Sequence, residues 1–514
     1  MLEGIYLGLV TVATWQNIML VIAGCAAGTI IGMLPGLGPI SAIALMIPIT
    51  YGFEPSSGMI LLAGVYYGAI FGGSTSSILI NAPGVAGTVA TAFDGYPMAT
   101  TQGQPGKALA TAAYSSFAGG TIAAIILMAA APYLSGLALS FQSIDYFLMM
   151  VLGLSLVTAF AAKGEFIKAM VMTCLGLALA TVGTDLTAGV QRFTFGRMDL
   201  IDGISFLLLA MGTFALSEAL MMAIRHTSAS EPIRIPRTGL NLDLNELKSI
   251  FPTITRASIL GFFIGVLPGA GATIASFLAY GAEKNLSKPG EIPFGEGNIK
   301  GLAAPEAANN AACTGSFVPL LTLGIPGSGT TAILLGALIA YGVQPGPQLY
   351  VNEPEIFWGV LVSMYFGNLF LLFLNLPLIP YLARLLAIPG PYLIPLIMFF
   401  SMMGVYLISF NPFDLQMMVV IAIVAVGLRL LSFPMAPLLL GFILGGMLED
   451  NLRRALTVSD GDWQYVLERP VTIILVVCIV TALLSPVLRG LVSTRVSGMF
   501  STLVSKLVSE RASR

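Results

Sequence analysis

Two eleven-residue segments, Gly28–Gly38 (GTIIGMLPGLG) and Gly261–Gly271 (GFFIGVLPGAG), agree at seven positions and each sets Leu-Pro-Gly-x-Gly inside an apolar run. Proline removes a backbone donor and glycine weakens a helix, so Pro35-Gly36 and Pro268-Gly269 predict interrupted helices. Unpaired backbone groups are intolerable against lipid and survive only against protein or a water-filled cavity. A restarted helix presents free N–H groups and a positive dipole end, which suit an anion; the ending half presents carbonyls, which suit Na⁺. Gly36, Gly38, Gly269 and Gly271 therefore stand as candidate backbone contacts for a ligand.

A second correspondence follows downstream: Asn81-Ala-Pro83-Gly84 with Thr88 matches Gly324-Ile-Pro326-Gly327 with Thr331. A third pairs Gln104-Pro105-Gly106 with Gln344-Pro345-Gly346. Hydroxyls gather at the second pair, as GGSTSSILIN over Gly72–Asn81 and as GIPGSGTT over Gly324–Thr331. Both stretches read as re-entrant hairpins with tips at Pro83-Gly84 and Pro326-Gly327. Ser76, Ser77, Asn81, Gly84, Thr88, Gly327, Ser328, Thr330 and Thr331 are the candidate substrate contacts, and carbonyls near Pro35, Pro83, Pro268 and Pro326 could take Na⁺. Ser and Thr in membrane helices also bond back to their own helix or across a close helix contact. Glycines four apart (Gly28, Gly32; Gly261, Gly265; Gly68, Gly72) suit close helix packing. Glu306, Asn309 and Asn310 share one helical face at spacings of three and four. An acid and two amides there could bind a cation or gate the site; the other reading is a first helical turn after Pro305.

The elements that position these residues are membrane helices. The chain has 514 residues, 56% apolar and only 9% charged, against roughly a quarter charged in a soluble domain. Its first basic residue is Lys107. Apolar runs near 15–34, 55–72, 105–133, 143–161, 165–183, 200–224, 251–267, 354–386, 390–409, 412–432 and 470–488, with ambiguous segments added, predict about ten to fourteen helices of ~20 residues. The expected fold is an all-α polytopic membrane protein in two inverted repeats, each with a broken helix and a re-entrant hairpin. The expected organisation is a first repeat at 15–224, a cytoplasmic linker at 225–250 and a second repeat at 251–449. A polar loop, a last transmembrane helix and a basic cytoplasmic tail then fill 450–514. Lys163, Lys168, the linker and the tail are basic and read as cytoplasmic; the acidic 449–469 loop reads as outside, with Arg192 and Arg197 against that scheme. The start, MLEGIYLGLV, has no basic region or small-residue cleavage site, so the first helices are expected to insert and stay.

Other classes fit less well. There is no HExxH, and the only histidine, His226, falls in the linker, which disfavours an intramembrane enzyme. Gly103–Ala108 has the wrong spacing for a phosphate loop, and has Ala where Ser or Thr is required. A passive anion channel would share pore-lining hydroxyls, but two broken halves suit alternating access better. The net charge of −2 indicates no nucleic-acid partner, and the four single cysteines suggest neither a disulfide framework nor a metal cluster.

LPGLGP, GSTSSILINAPG, APEAANNA and the second LPGAG together resemble the large membrane subunit of the bacterial tripartite tricarboxylate transporters, over about residues 15–485. The resemblance implies uptake of citrate-like carboxylates across the inner membrane, with Na⁺ as coupling ion, no cofactor and an elevator-like motion. It also implies two partners, a small membrane subunit and a periplasmic solute-binding protein. The repeat motifs contain no Arg or Lys, so the anion must be held by helix ends, hydroxyls, amides and bound cations.

Overall fold

The computed structural model describes residues 1–34, 37–159, 165–185, 187–224, 240–269, 271–288, 290–382, 390–462 and 469–484. Helices dominate, as an apolar chain in lipid must satisfy its backbone internally. The N-terminal part runs α1 (Leu2–Val12), α2 (Trp15–Met33), α3 (Gly38–Thr50), α4 (Pro55–Ile80), α5 (Val89–Thr100), α6 (Pro105–Ala138), α7 (Ser143–Ala159) and α8 (Phe166–Ala180). A short antiparallel ribbon, β1 (Gly183–Asp185) and β2 (Val190–Arg192), precedes α9 (Phe206–Ala210), a π segment (Met211–Leu216) and α10 (Ser217–Ile224). The C-terminal part runs α11 (Leu244–Val266), α12 (Gly271–Asn285), α13 (Ile299–Gly315), a π segment (Pro319–Leu323), α14 (Gly329–Ala340), α15 (Pro347–Asn352) and α16 (Pro354–Asn375). It continues through α17 (Ile379–Leu382), α18 (Gly390–Ser409), α19 (Pro412–Leu430), α20 (Ala436–Val458) and α21 (Pro470–Leu484). Among the described residues seven helices are long and apolar enough to cross a bilayer, and seven more are apolar but shorter. The molecule is an all-α polytopic membrane protein.

The spaced glycines set the packing. A Cβ on Gly24, Gly28 or Gly32 of α2 would lie 2.4, 2.2 or 2.2 Å from the carbonyl oxygens of Leu61, Val65 and Ala69 on α4. In return Gly68 and Gly72 of α4 sit against the carbonyls of Cys25 and Thr29. Partner numbers rise together, so α2 and α4 run parallel, with α3 returning between them. The same ladder recurs where Gly261 and Gly265 of α11 meet the carbonyls of Ala308 and Ala312 on α13. Gly315 of α13 meets Phe262 O on α11, as Gly72 meets Thr29 O. The matched segments thus fold alike. Helices α4 and α13, which correspond to one another, lie side by side and antiparallel: Ser74 bonds Glu306, Tyr67 bonds Thr314 and Tyr66 approaches Ser316.

A central group of α2, α4, α5, α6, α11, α12, α13 and α16 packs together, and α20 packs with α7 and α8 in a second group. Helices α18 and α19 pack with the π segment and α10; α3 joins these to the central group, and α14 touches both α4 and α20. Two clusters of ion pairs lie outside the apolar packing. Lys107, beside Gln104-Pro105-Gly106, pairs with Glu246. Arg192 and Arg453 pair with Asp185 and Glu449, joining the ribbon to the end of α20.

Three expectations shift. Gly72–Ile80 is not a separate hairpin arm but the end of the continuous 26-residue α4; Ser76 and Ser77 bond back to Gly73 O and leave it unbroken. Helix α11 begins at Leu244, inside the segment read as linker, because Asp243 and Glu246 form a capping box. Residues 450–458, read as loop, continue α20, where Glu449 and Arg453 pair one turn apart at 2.6 Å. Pro35, Gly36, most of the expected linker and the tail beyond 484 lie outside the described residues.

Candidate functional site

Both Leu-Pro-Gly-x-Gly segments end one helix and start another. Helix α2 stops at Met33 and α3 starts at Gly38; α11 stops at Val266 and α12 starts at Gly271. Gly38 and Gly271 have φ of 54° and 62°, the left-handed region where a side chain is strained. The second motif also breaks alike in both parts. Asn81, with φ 52°, ends α4, and Gly324, with φ 71°, ends the π segment after α13. Thr88 donates to the Val85 carbonyl at 2.9 Å, and its counterpart Thr331 donates to the Ser328 carbonyl at 3.0 Å. Ser328 caps α14, accepting from the Thr331 N–H at 3.2 Å.

These breaks converge. Gly269 donates to Gly327 O at 3.0 Å, tying the α11–α12 break to the α14 break. Between them lies a cavity of about 370 Å³ lined by Leu37–Ser41, Tyr66, Ile70, Gly84–Gly87, Phe214, Gly271–Thr273, Ser328, Thr330 and Ala436. The first turns of α3 and α12 and the N-cap of α14 all open into it, so free N–H groups and three positive dipole ends face one space. Its side-chain hydroxyls are Ser41, Tyr66, Thr273, Ser328 and Thr330, and no lining residue is charged. Such a volume fits a small organic ligand, and helix ends with hydroxyls can hold carboxylate oxygens without a cationic side chain.

Of the residues singled out by sequence, Gly38, Gly84, Gly271, Ser328 and Thr330 line this cavity. Gly269 and Gly327 form its bracing bond. Ser76, Ser77, Thr88 and Thr331 do not line it; they are fully buried and bonded within the breaks, Ser76 and Ser77 to Gly73 O and Ser77 also to Thr88. Asn81 is exposed at the end of α4. Pro305 lies inside α13, so Glu306 is mid-helix rather than in a first turn. Glu306, Asn309 and Asn310 are wholly buried. Asn309 lies behind the wall: a Cβ on Gly87 would stand 2.4 Å from its Oδ1.

Sequence reasoning passed over Ser41, Tyr66, Thr273, Phe214 and Ala436. Ser41 and Thr273 could have been found, being in the first turns after the breaks. Phe214 sits in the π segment of an unbroken apolar run, which hydropathy does not reveal. Asp94 was also missed: its Oδ1 accepts from the N–H groups of Gly295, Gly297 and Asn298 at 2.9, 2.9 and 2.7 Å. It clamps α5 to the loop entering α13.

Comparison with known proteins gives the wider context. The sequence model of the Tripartite tricarboxylate transporter TctA family matches residues 18–440. An uncharacterized 52.8 kDa protein in the TAR-I ttuC' 3' region of Agrobacterium vitis is 44% identical over 492 residues, covering 95% of this chain and 97% of the relative. An uncharacterized protein in the TAR-II ttuC' 3' region of the same organism is 47% identical over 232 residues, 44% of this chain and 95% of the relative. No solved structure matches.

Proposed function

The chain belongs to the tripartite tricarboxylate transporter TctA family, and from that premise we propose that its central cavity binds a citrate-like carboxylate during Na⁺-driven uptake. The carrying observation is the convergence of three helix N-termini, from both matched motifs, on one uncharged cavity. Peptide N–H groups and the hydroxyls of Ser41, Ser328 and Thr330 take the anion's oxygens; bound cations offset the remaining charge. Carbonyls at the four breaks, and the Glu306–Asn309–Asn310 face, are the candidate cation contacts. Asn81, Ser76, Ser77, Thr88 and Thr331 act by holding the breaks in shape. This is transport rather than catalysis.

The family implies two partners, a small membrane subunit and a periplasmic binding protein, with the chain in the bacterial inner membrane. We further infer that the repeats are inverted: corresponding helices α4 and α13 run antiparallel, and the matched Gln-Pro-Gly turns border different polar surroundings, Lys107 with Glu246 and Asp450 with Arg454. An elevator-like motion is supported by the cavity's position, with Phe214 of the π segment and Ala436 of α20, both outside the central group, facing the central breaks.

The test is uptake of a carboxylate panel by cells carrying the full tripartite system, with and without a Na⁺ gradient. Ser328→Ala and Thr330→Val should cut uptake at unchanged membrane levels. Asn81→Gly should preserve uptake while Asn81→Ala, strained at φ 52°, should lower it. Normal uptake in both cavity variants would remove the site.

A further inference from the structure

Glu306 lies on α13 where the two matched parts meet, and it is 0% exposed. Its carboxylate has three partners, all hydroxyls and all from the other part of the chain. Ser74 of α4 and Ser116 of α6 donate to Oε2 at 2.7 Å each, and Thr91 of α5 donates to Oε1 at 2.5 Å. No described ion pair includes it, whereas the buried carboxylates Asp145, Asp185, Glu218 and Glu283 each meet an arginine; buried Asp94 also lacks one but accepts three backbone N–H groups from the loop entering α13. A charge so placed is unfavourable unless a positive charge joins it, since neutral donors replace only part of its lost hydration.

Room for that charge lies against two of its hydroxyl donors. A cavity of about 10 Å³ is lined by Ser74, Thr75, Ser116 and Asn375 together with apolar side chains. That is close to the space one water-sized particle occupies. Ser74 and Ser116, the two donors to Oε2, both line it, and a hydroxyl that donates its hydrogen keeps lone pairs for a cation. One turn on, Asn309 is buried with both polar atoms unpartnered, and Oδ1 of Asn310 is likewise unpartnered. Asn309 is also the residue behind Gly87 in the wall of the larger cavity.

We propose that Glu306, with Ser74 and Ser116, binds a single positive charge, as Na⁺ or as a proton, at a site separate from the carboxylate cavity and from the backbone carbonyls of the breaks. Occupancy neutralises the buried Glu306 carboxylate between α4, α5, α6 and α13. The site deepens the transport reading, on which its coupling role rests, but binding at Glu306 is independent of what the larger cavity holds.

The experiment is thermal unfolding of the purified full-length chain, with NaCl exchanged for choline chloride at constant ionic strength and pH varied from 5.5 to 8.5. The wild type should melt higher as Na⁺ rises, or as pH falls if the proton is the occupant; the two series separate those cases. Glu306→Gln should abolish that dependence and match or exceed the wild type without Na⁺ at high pH. Ser116→Ala should keep the dependence but need several-fold more Na⁺ or a lower pH, which serves if Glu306→Gln does not fold. A wild type indifferent to both variables, or a Glu306→Gln variant with the full dependence, overturns the proposal. Citrate added to the same samples tests the carboxylate reading by itself. A cation response lost in Glu306→Gln without any carboxylate response would leave this site standing and sink the other.

Discussion

Alanine substitution of glycine should change stability in opposite directions at two kinds of position, although the chemical change is the same. At Gly32 the added Cβ would lie 2.2 Å from Ala69 O, 2.5 Å from its Cα and 2.7 Å from its carbonyl carbon. At the matched Gly265 the distances to O, Cα and C of Ala312 are 2.1, 2.6 and 2.7 Å. All six fall well short of ordinary contact, and the obstacle is backbone, which moves only if the whole helix moves. Helix α4 is pinned in turn by Gly68 and Gly72 against α2. Overpacking costs roughly 1–3 kcal/mol, and the rigid neighbour puts these sites at the upper end. Alanine's helix preference returns up to about 1 kcal/mol. The net expectation is a loss of about 2 kcal/mol for Gly32→Ala and a similar loss for Gly265→Ala. Gly281 on α12 has no atom within 4 Å of its would-be Cβ, so Gly281→Ala should gain roughly 0.5–1 kcal/mol. Unfolding in mixed micelles under a detergent titration measures all three. Loss of stability in Gly281→Ala equal to that in Gly32→Ala would refute the reasoning. So would costs at Gly32 and Gly265 that differ by more than about 1 kcal/mol, the spread of weak packing effects.

Two further outcomes follow from polar contacts. Asp94→Ala removes an acceptor shared by three backbone donors, each worth about 1.5–3 kcal/mol to a charged group but not additive. Amide exchange at Gly295–Asn298 should then rise by at least tenfold, and unchanged protection there would exclude the clamp. Lys107 pairs with Glu246, the third residue of α11 and a member of its capping box. Amide protection of the first turn of α11 should therefore fall in Lys107→Met; coincident exchange profiles would count against the pair.

Much of this architecture was legible because its causes are local. Pro-Gly at 268–269 and the glycines four apart announce breaks and close packing wherever they occur, and the first two matched motifs fold alike as their order suggests; the third does not, since Gly106 lies inside α6 while Gly346 precedes α15 at φ 99°. The roles of Ser76, Ser77 and Thr331 were harder to read, since a hydroxyl at a break can serve a ligand or its own backbone and only the fold decides which partner lies nearer. Tyr66 and Phe214 reach the cavity through helix rotation and a π segment, which leave no trace in hydropathy. The partners of Glu306 come from α4, α5 and α6, 190 or more residues away, a distance that helical spacing cannot bridge.

The antiparallel meeting of α4 and α13 also bears on why one chain carries both parts. In a dimer of identical subunits the contact across a twofold axis is self-complementary, so every residue there appears twice. Under the alignment that pairs Pro83 with Pro326, Glu306 corresponds to Ala63 and Ser74 to Phe317. The acid and its hydroxyl thus have no mirror counterparts. An isologous ancestor bearing this acid would have buried two carboxylates in the same interface. Two parts carried in one chain are free to differ, so the contact between these corresponding helices holds a single carboxylate.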